Sequence, residues 1–457
     1  MPPDDAPTSD NDGVSELPRR TAARTAKLVG LPLGVAGRTA LGIGKRVGGR
    51  PAEVVAAEIQ ARTAEQVFTV LGELKGGAMK VGQALSVMEA AMPEEWAGPY
   101  RATLTRLQEA APPLPPASVH EVLARELGPR WRTAKFRDFD DVPAAAASIG
   151  QVHKAVWRDG RTVAVKIQYP GARQALLSDL RQLSRVARVS AGWVPGLDIK
   201  PIMAELTSRM SEELDYHLEA THQKAFARAF RGDPDYAIPE VVHASAEVLV
   251  SEWLTGVPLS RIIAEGDQAT RDAAAQLYLE FLLAGPQKAG QLHADPHPGN
   301  FRITPDGRLG ILDFGAVNRL PGGLPPAMGR LLTHALAGDA DLMVGGLRGE
   351  GFIKPSIDVD PESVLTYLQM FLEPLEFARF RFDRAWLRSV ALRMNDVRRP
   401  DWTVGIKLNL PPEYLLIHRV WLGGIGVLCQ IGGEVSPRDA LAHYLPEFDI
   451  TRLPPAR

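Results

Sequence analysis

At 457 residues, with 45% hydrophobic and 23% charged residues, the chain can bury a core large enough for two or more lobes. A formal net charge of −2 excludes a global pull toward nucleic acid, so any charged partner must be met by a local patch. Cys429 is the single cysteine, which excludes an internal disulfide and a multi-thiolate metal site and suits a reducing compartment.

Residues 1–16 are acidic and polar, lack the apolar stretch of a secretory signal, and read as a disordered tail. Residues 17–50 carry eight basic side chains (Arg19, Arg20, Arg24, Lys27, Arg38, Lys45, Arg46, Arg50) and no acidic one, interleaved with apolar runs. Such a basic amphipathic segment can lie on an anionic membrane surface, where each basic residue contributes roughly 1 kcal/mol, or it can pack as a solvated arm on the acidic remainder. It has no aromatic residue to stack on bases, so nucleic acid is not an expected partner.

Residues 51–130 read as a helical extension. Apolar positions recur at helical spacing from about Ala52 to Met92, with a break at Gly76-Gly77; the linker Ala111 to Ala117 follows, and Ser118 with Glu121 forms a capping-box pattern before a helix that stops at Gly128-Pro129. Residues 131–255 change character. The runs Gln151–Trp157 and Thr162–Gln168 alternate with β-branched residues around Arg158-Asp-Gly-Arg161, which predicts a hairpin, and shorter strands are predicted near Glu240 and from Val248 to Trp253. A helix-period run from Pro201 to about Phe230 lies between them. Residues 256–457 look mainly helical. Their most apolar window, Tyr414 to Gly433, contains His418, Arg419 and Gln430, which are expensive in lipid, so it is expected to be a buried helix.

The chemistry concentrates at four places. Lys166 sits on an apolar strand, where an ammonium must snorkel or pair. Glu219, on a helix predicted from Glu205 to Ala220, is its natural partner; Asp215, four residues earlier, would share its face, an arrangement that asks for neutralising cations. In His293-Ala-Asp-Pro-His-Pro-Gly-Asn300, Asp295 and Asn300 have the spacing of the kinase catalytic loop, in which the aspartate orients or deprotonates the acceptor and the asparagine ligates a metal. The prolines restrict that loop. Asp313-Phe-Gly315 ends a strand-like run and offers a hard oxygen ligand of the kind magnesium prefers. Strand lysine, helix glutamate, HxDxxxxN loop and DFG, in this order, are the layout of a protein-kinase-like site for ATP and Mg2+. The glycine-rich phosphate loop is missing: Ala144-Ala-Ala-Ala-Ser148 stands there, and alanine lacks glycine's freedom at positive φ.

These residues together resemble the UbiB/AarF (ABC1) family of atypical kinases. Lys80-Val-Gly-Gln83 looks like its KxGQ signature, Ala144 to Gln151 like its alanine-rich loop, and Glu213-Leu-Asp215 like its ExD motif. The resemblance implies an α+β, protein-kinase-like bilobal fold with a small β-rich lobe, a large helical lobe and an N-terminal helical extension. It implies that Lys166, Asp295, Asn300 and Asp313 take the lysine, catalytic-loop and metal positions. Lys80 and Gln83, on a helix across the substrate site, would meet the acids Glu213 and Asp215 in a regulatory role. The alanine-rich loop with Ser148, and Glu252 in the hinge beside Ser251, would line the nucleotide site. ATPase or small-molecule kinase activity in support of isoprenoid quinone biosynthesis follows from the same resemblance, with quinone-pathway proteins as partners and a cytoplasmic location, peripheral on the inner face of the membrane. A nucleotide-gated, non-catalytic scaffold is the alternative; a small-molecule kinase of the aminoglycoside or choline type fits the loop but leaves Lys80-Val-Gly-Gln83 unexplained. Gly285-Pro286 is expected to break the helix before the catalytic loop.

Overall fold

The computed structural model describes residues 114–147, 149–171, 214–396 and 398–457. The expectations for residues 1–113, Lys80 and Gln83 among them, and for Ser148 and Glu213 lie outside these residues.

Helix α1 (Pro116–Leu127) starts earlier than its capping-box pattern suggests. Pro115 is the N-cap and no side chain caps the helix, so Ser118 already lies inside it; proline's fixed φ and missing N–H suit a first helical turn. A short helix α2 (Trp131–Lys135) leads into β1 (Phe136–Ala147), β2 (Gly150–Trp157) and β3 (Thr162–Gln168). Gly160, at φ +98°, closes the predicted turn between the last two. Helix α3 (Tyr216–Ala229) is followed by β4 (Tyr236–Ala237), β5 (Val241–Ala244) and β6 (Val248–Glu252). Five of these strands form a sheet in the order β1-β2-β3-β6-β5, antiparallel throughout.

The period of two along β3 decides which face each side chain takes. Val163, Val165 and Ile167 are fully buried in one layer with Val119, Val122 and Leu123 of α1 and with Trp131, Phe136 and Trp157. The last helix of the extension therefore covers that face of the sheet, and Lys166 is left on the other.

After β7 (Val257–Pro258) and α4 (Leu259–Glu265), the long helix α5 (Gln268–Ala284) runs into the larger lobe. Gly285-Pro286 does not end it: the coil widens into a π-helical turn, Gly285–Ala289, which tolerates a residue without an N–H and closes on Gly290 at φ +60°. Strands β8 (Gln291–His293), β9 (Phe301–Ile303), β10 (Leu309–Ile311) and β11 (Val317–Arg319) follow in pairs, with β4-β10-β9-β7 as one sheet and β11-β8 as another. Beyond them come α6 (Pro326–Ala337), α7 (Ala340–Gly349), α8 (Pro361–Leu372), β12 (Phe380–Arg381), α9 (Arg384–Asn395), α10 (Trp402–Lys407), α11 (Pro412–Ile431), β13 (Glu434–Val435) and α12 (Pro437–Tyr444). The fold is α+β and bilobal, as expected.

Helix α11 is the apolar window of the sequence. Among the described residues it is the one helix long and apolar enough to cross a membrane, and its Ile417, Val420, Val427 and Leu428 lie in the core of the larger lobe. It closes on α5 through glycine: a Cβ at Gly424 would stand 2.5 Å from Leu282 Cδ1.

Helix α3 belongs to both lobes. Its first turns, at Tyr216 and Ala220, share a cluster with Ile149, Leu214 and Leu249 of the smaller lobe, while Phe226 and Phe230 sit in the core of the larger one. The hairpin from the alanine strand into β2 depends on Gly150, where a Cβ would fall 2.1 Å from the Ile167 carbonyl oxygen. Gly150→Ala should lower stability by about 1–3 kcal/mol, the usual cost of overpacking against backbone, measured as a shift in denaturant midpoint at constant slope. An unchanged midpoint would mean that the ladder yields there freely.

Candidate active site

The open face of the five-stranded sheet presents Lys166 to α3. Its Nζ donates to Glu219 Oε1 at 2.7 Å and Oε2 at 2.9 Å, and lies 3.3 Å from Asp313 Oδ2. The ring of Tyr216 is 5.3 Å from the same nitrogen. Glu219 is 2% exposed, while the Lys166 and Asp313 side chains keep 15% and 30% of their surface, so the cluster is buried at the helix and partly open at the other two groups. Burial by itself would pull the lysine's pKa down, but the carboxylates of Asp313 and Glu219 outweigh it and hold the ammonium well above its ordinary value. The lysine is therefore a cation at neutral pH.

Asp215 has a different place from the one its spacing suggested. It is the N-cap of α3, and its carboxylate accepts from the backbone N–H of His217 and Leu218 at 3.0 and 3.1 Å. It therefore starts the helix and does not share a helical face with Glu219, which stands in the first turn. An aspartate that caps a helix satisfies orphan N–H groups, and this preference wins over continuing the helix through it.

The DxxxxN loop is tied at both ends. Strand β8 pairs with β11, His293 opposite Val317, and Pro298–Asn300 forms one 3-10 turn, with Gly299 N–H donating to His297 Nδ1 at 3.1 Å. Asn300 Nδ2 donates to the Asp295 carbonyl at 3.2 Å. The β9–β10 hairpin then returns the chain: Leu312 N–H bonds the Asn300 carbonyl at 2.8 Å, which brings Asp313 back beside the loop.

Asp313 has φ +57°, a conformation rare outside glycine. His293 Nε2 holds its carbonyl at 2.8 Å and the Leu312 carbonyl at 3.3 Å, and the Asp313 side chain accepts from Gly315 N–H at 3.2 Å. Phe314 is fully buried, its ring 5.1 Å from Phe226 and 5.5 Å from His293, and its carbonyl lies 3.3 Å from His222 Nδ1. The aspartate is thus anchored from α3 on one side and β8 on the other. Nothing in the spacing of Tyr216, His222 or Phe226 marks them for a role in the sequence; His293 is marked there by its place at the head of the HxDxxxxN loop, but its grip on the Asp313 backbone is not.

Ala144, Ala145 and Ala146 are exposed on the end of β1, and the ladder runs regularly through Ala145↔Val152, Ala146↔Gln151 and Ala147↔Gly150. None of these alanines takes a positive φ. A buried relay stands at the root of this hairpin: Gln151 Oε1 accepts from Leu114 N–H at 2.7 Å, Gln151 Nε2 meets His153 Nε2 at 2.7 Å, and His153 Nδ1 meets the Asp140 carbonyl at 2.8 Å. At the end of β6 the Glu252 carboxylate is committed to Arg161 at 3.2 Å and to the N–H of Glu240 at 3.3 Å.

The donor chemistry fits a nucleotide with magnesium. Among the described residues no group of three or more His, Cys, Asp and Glu side chains could hold a metal alone. Asn300 and Asp313 supply few hard oxygens, as suits a cation that shares its shell with phosphate and water. The amide nitrogen of Asn300 donates to the Asp295 carbonyl, and Lys166 supplies a positive charge.

Burial pushes the His293 imidazole below the usual histidine value, against the pull of Asp295 and Asp313. Two carbonyl acceptors put its proton on Nε2, and Nδ1 is buried without a partner. A depressed histidine contributes stability that is present above its unfolded value near pH 6.5 and is lost as pH falls through the folded value. Unfolding free energy should therefore drop below about pH 6.5 while the imidazole stays neutral in the folded protein. Denaturant titrations from neutral to acidic pH, beside an NMR titration of His293, measure both; an imidazole that titrates at or above the ordinary value would remove this account.

The ABC1 atypical kinase-like domain family matches residues 106–345. Similar proteins include the mitochondrial atypical kinase COQ8B of Danio rerio, 31% identical over 67% of this chain and 50% of that protein, and the chloroplastic protein ACTIVITY OF BC1 COMPLEX KINASE 3 of Arabidopsis thaliana, 31% identical over 83% and 51%. This chain spans about half the length of those two relatives. The probable serine/threonine-protein kinase abkA of Dictyostelium discoideum is 32% identical over 83% of this chain and 70% of its own length. Among solved structures, the erythromycin complex of Rv3197 from Mycobacterium tuberculosis is 42% identical, covers 87% of this chain and 99% of its own, and superposes with a TM-score of 0.68.

Proposed function

The chain belongs to the ABC1 atypical kinase-like family, and we propose that it binds ATP with Mg2+ and hydrolyses it or transfers its phosphoryl group to a small molecule. The observation that carries this reading is the Lys166 ammonium, 2.7 Å from Glu219 and 3.3 Å from Asp313, where kinase chemistry needs a fixed cation. Lys166 binds the α and β phosphates and Glu219 orients it. Asp295 orients the attacking hydroxyl or water and accepts its proton. Asn300 and Asp313 hold the magnesium, which neutralises phosphate charge when bound. The alanine hairpin covers the phosphates with a backbone stiffer than a glycine loop.

The client we infer is a membrane-associated apolar metabolite of isoprenoid quinone biosynthesis or membrane lipid metabolism. The resemblance to the UbiB/AarF proteins supports this, and the mycobacterial relative solved in complex with erythromycin shows that a protein of this fold takes a small molecule. The basic segment 17–50 would hold the protein peripherally on the inner, anionic face of the membrane, and Lys80, Gln83, Glu213 and Asp215 would act in regulation. Deleting residues 17–50 should weaken sedimentation with anionic liposomes, most clearly at low salt, where surface charges are least screened. Equal sedimentation of the two proteins would return the segment to a structural arm.

A second reading, a nucleotide-gated scaffold without turnover, draws support from the alanine strand, in which Ala145 to Ala147 pair with β2 and none takes the positive φ of a glycine loop. One experiment separates the two: magnesium-dependent phosphate release from ATP, with and without anionic liposomes. Asp295→Asn should keep nucleotide binding and lose turnover by on the order of 100-fold or more, the usual worth of a general base. Asp313→Asn should abolish the magnesium dependence of nucleotide binding in thermal-shift titrations. Binding without turnover in the unmodified protein would favour the scaffold; magnesium-dependent binding unchanged in Asp313→Asn would refute the metal assignment.

A further inference from the structure

One buried side chain touches both ends of the DxxxxN loop. Tyr278, on α5, is fully buried, and its hydroxyl donates to the Pro296 carbonyl at 2.8 Å, one residue after Asp295. Its ring packs edge-on against Phe301 at 5.0 Å, one residue after Asn300. A buried hydroxyl is unfavourable unless it is bonded, and packing alone would be served as well by phenylalanine. What the hydroxyl adds is a fixed distance between α5 and the peptide that follows Asp295.

The same peptide is braced from α11. A Cβ at Gly423 would lie 2.7 Å from Pro296 Cγ, an atom of a ring that cannot swing aside. Glycine inside a helix costs about 1 kcal/mol relative to alanine, and here it gives the room for Pro296 to seat against the helix. Gly424, the next residue, faces α5, with its Cβ position 3.9 Å from Tyr278 Oη and 2.5 Å from Leu282 Cδ1. Helix α11, the most apolar of the described helices, therefore closes on the loop and on the helix that carries Tyr278 at one place.

We propose that Tyr278 and Gly423 are positioning residues for phosphoryl transfer, a clamp that sets Asp295 and Asn300 relative to each other. The inference rests on the reading of Asp295 and Asn300 as reaction residues given above. The clamp acts through Pro296 and Phe301 and touches neither nucleotide nor acceptor. Its failure should show in turnover, not in nucleotide binding.

The test uses the full chain with Tyr278→Phe, which removes one oxygen, and Gly423→Ala, which adds one methyl. Each should lower kcat by roughly 10- to 100-fold, the scale expected when a catalytic group is misplaced by less than an ångström or so, with magnesium-ATP affinity unchanged. In an Asp295→Asn background Tyr278→Phe should cause no further loss, because the group it positions is already gone. Backbone hydrogen exchange of the Asn300 amide, which bonds the His297 carbonyl at 3.0 Å, should be faster in both variants. An unchanged kcat in Tyr278→Phe, or an equal loss with and without Asp295, would overturn the proposal. Should the unmodified protein show no turnover, the phosphoryl-transfer reading falls by itself, and an unchanged Asn300 exchange rate would then overturn the clamp as well.

Discussion

One ammonium organises this molecule. Lys166 keeps 15% of its side-chain surface and is largely withdrawn from water, and the two carboxylates around it, Glu219 from α3 and Asp313 from beyond β10, offset that desolvation. Losing one member of a buried ion pair typically costs about 3–5 kcal/mol, and less on the side of Asp313, where 30% of the side chain still meets solvent. The sheet, the bridging helix and the larger lobe are therefore held in one geometry by a charge balance as well as by apolar packing. The same balance leaves a cation beside an acidic pair, and on that charge arrangement the proposed binding of a polyphosphate with a divalent ion rests.

Helix α3 delivers this geometry because it is shared between two cores. Its N-terminal end is fixed by the Asp215 cap and by Tyr216 against the sheet, and its C-terminal end by Phe226 in the aromatic cluster of the larger lobe. Phe314 joins that cluster directly, so the backbone that carries Asp313 is pinned by the helix that carries Glu219. The left-handed φ of Asp313 persists for this reason. Local strain of that kind survives only where the surroundings over-determine it, and here His293, Gly315 and Phe314 do so together.

The alanine hairpin is the other departure from a glycine-loop nucleotide site. Glycine gives close approach and freedom; alanine retains most of the first and gives up the second. Regular pairing with β2 and the buried relay through Gln151 and His153 make the hairpin part of the sheet. Gly150 serves the ladder's close contact with Ile167.

Much of the site was legible in the sequence because its residues are constrained by local chemistry. An apolar strand with one lysine, a DxxxxN spacing stiffened by two prolines and an Asp-Phe-Gly turn are short patterns whose physical demands do not depend on distant residues. The β2–β3 hairpin and the burial of α11 followed in the same way from alternation, turn residues and charges within an apolar run. Where the reading went astray, at the start of α1, at Asp215 and at Gly285-Pro286, the competing local preferences were close in energy, and packing chose between a cap and a helical face, or between a break and a wider turn.

Other features had no local signature at all. That Asp313 shares Lys166 with Glu219, that His293 and Phe314 fasten its backbone, and that Tyr278 spans the two ends of the DxxxxN loop are contacts between elements far apart in the chain. The sequence by itself determined which side chains could carry charge, coordinate a hard cation or stiffen a loop, since those are properties of residues and short spacings. The tertiary structure alone decided which of them meet, because a hydrogen bond of 2.8 Å between Tyr278 and Pro296 exists only after two helices and a loop have packed.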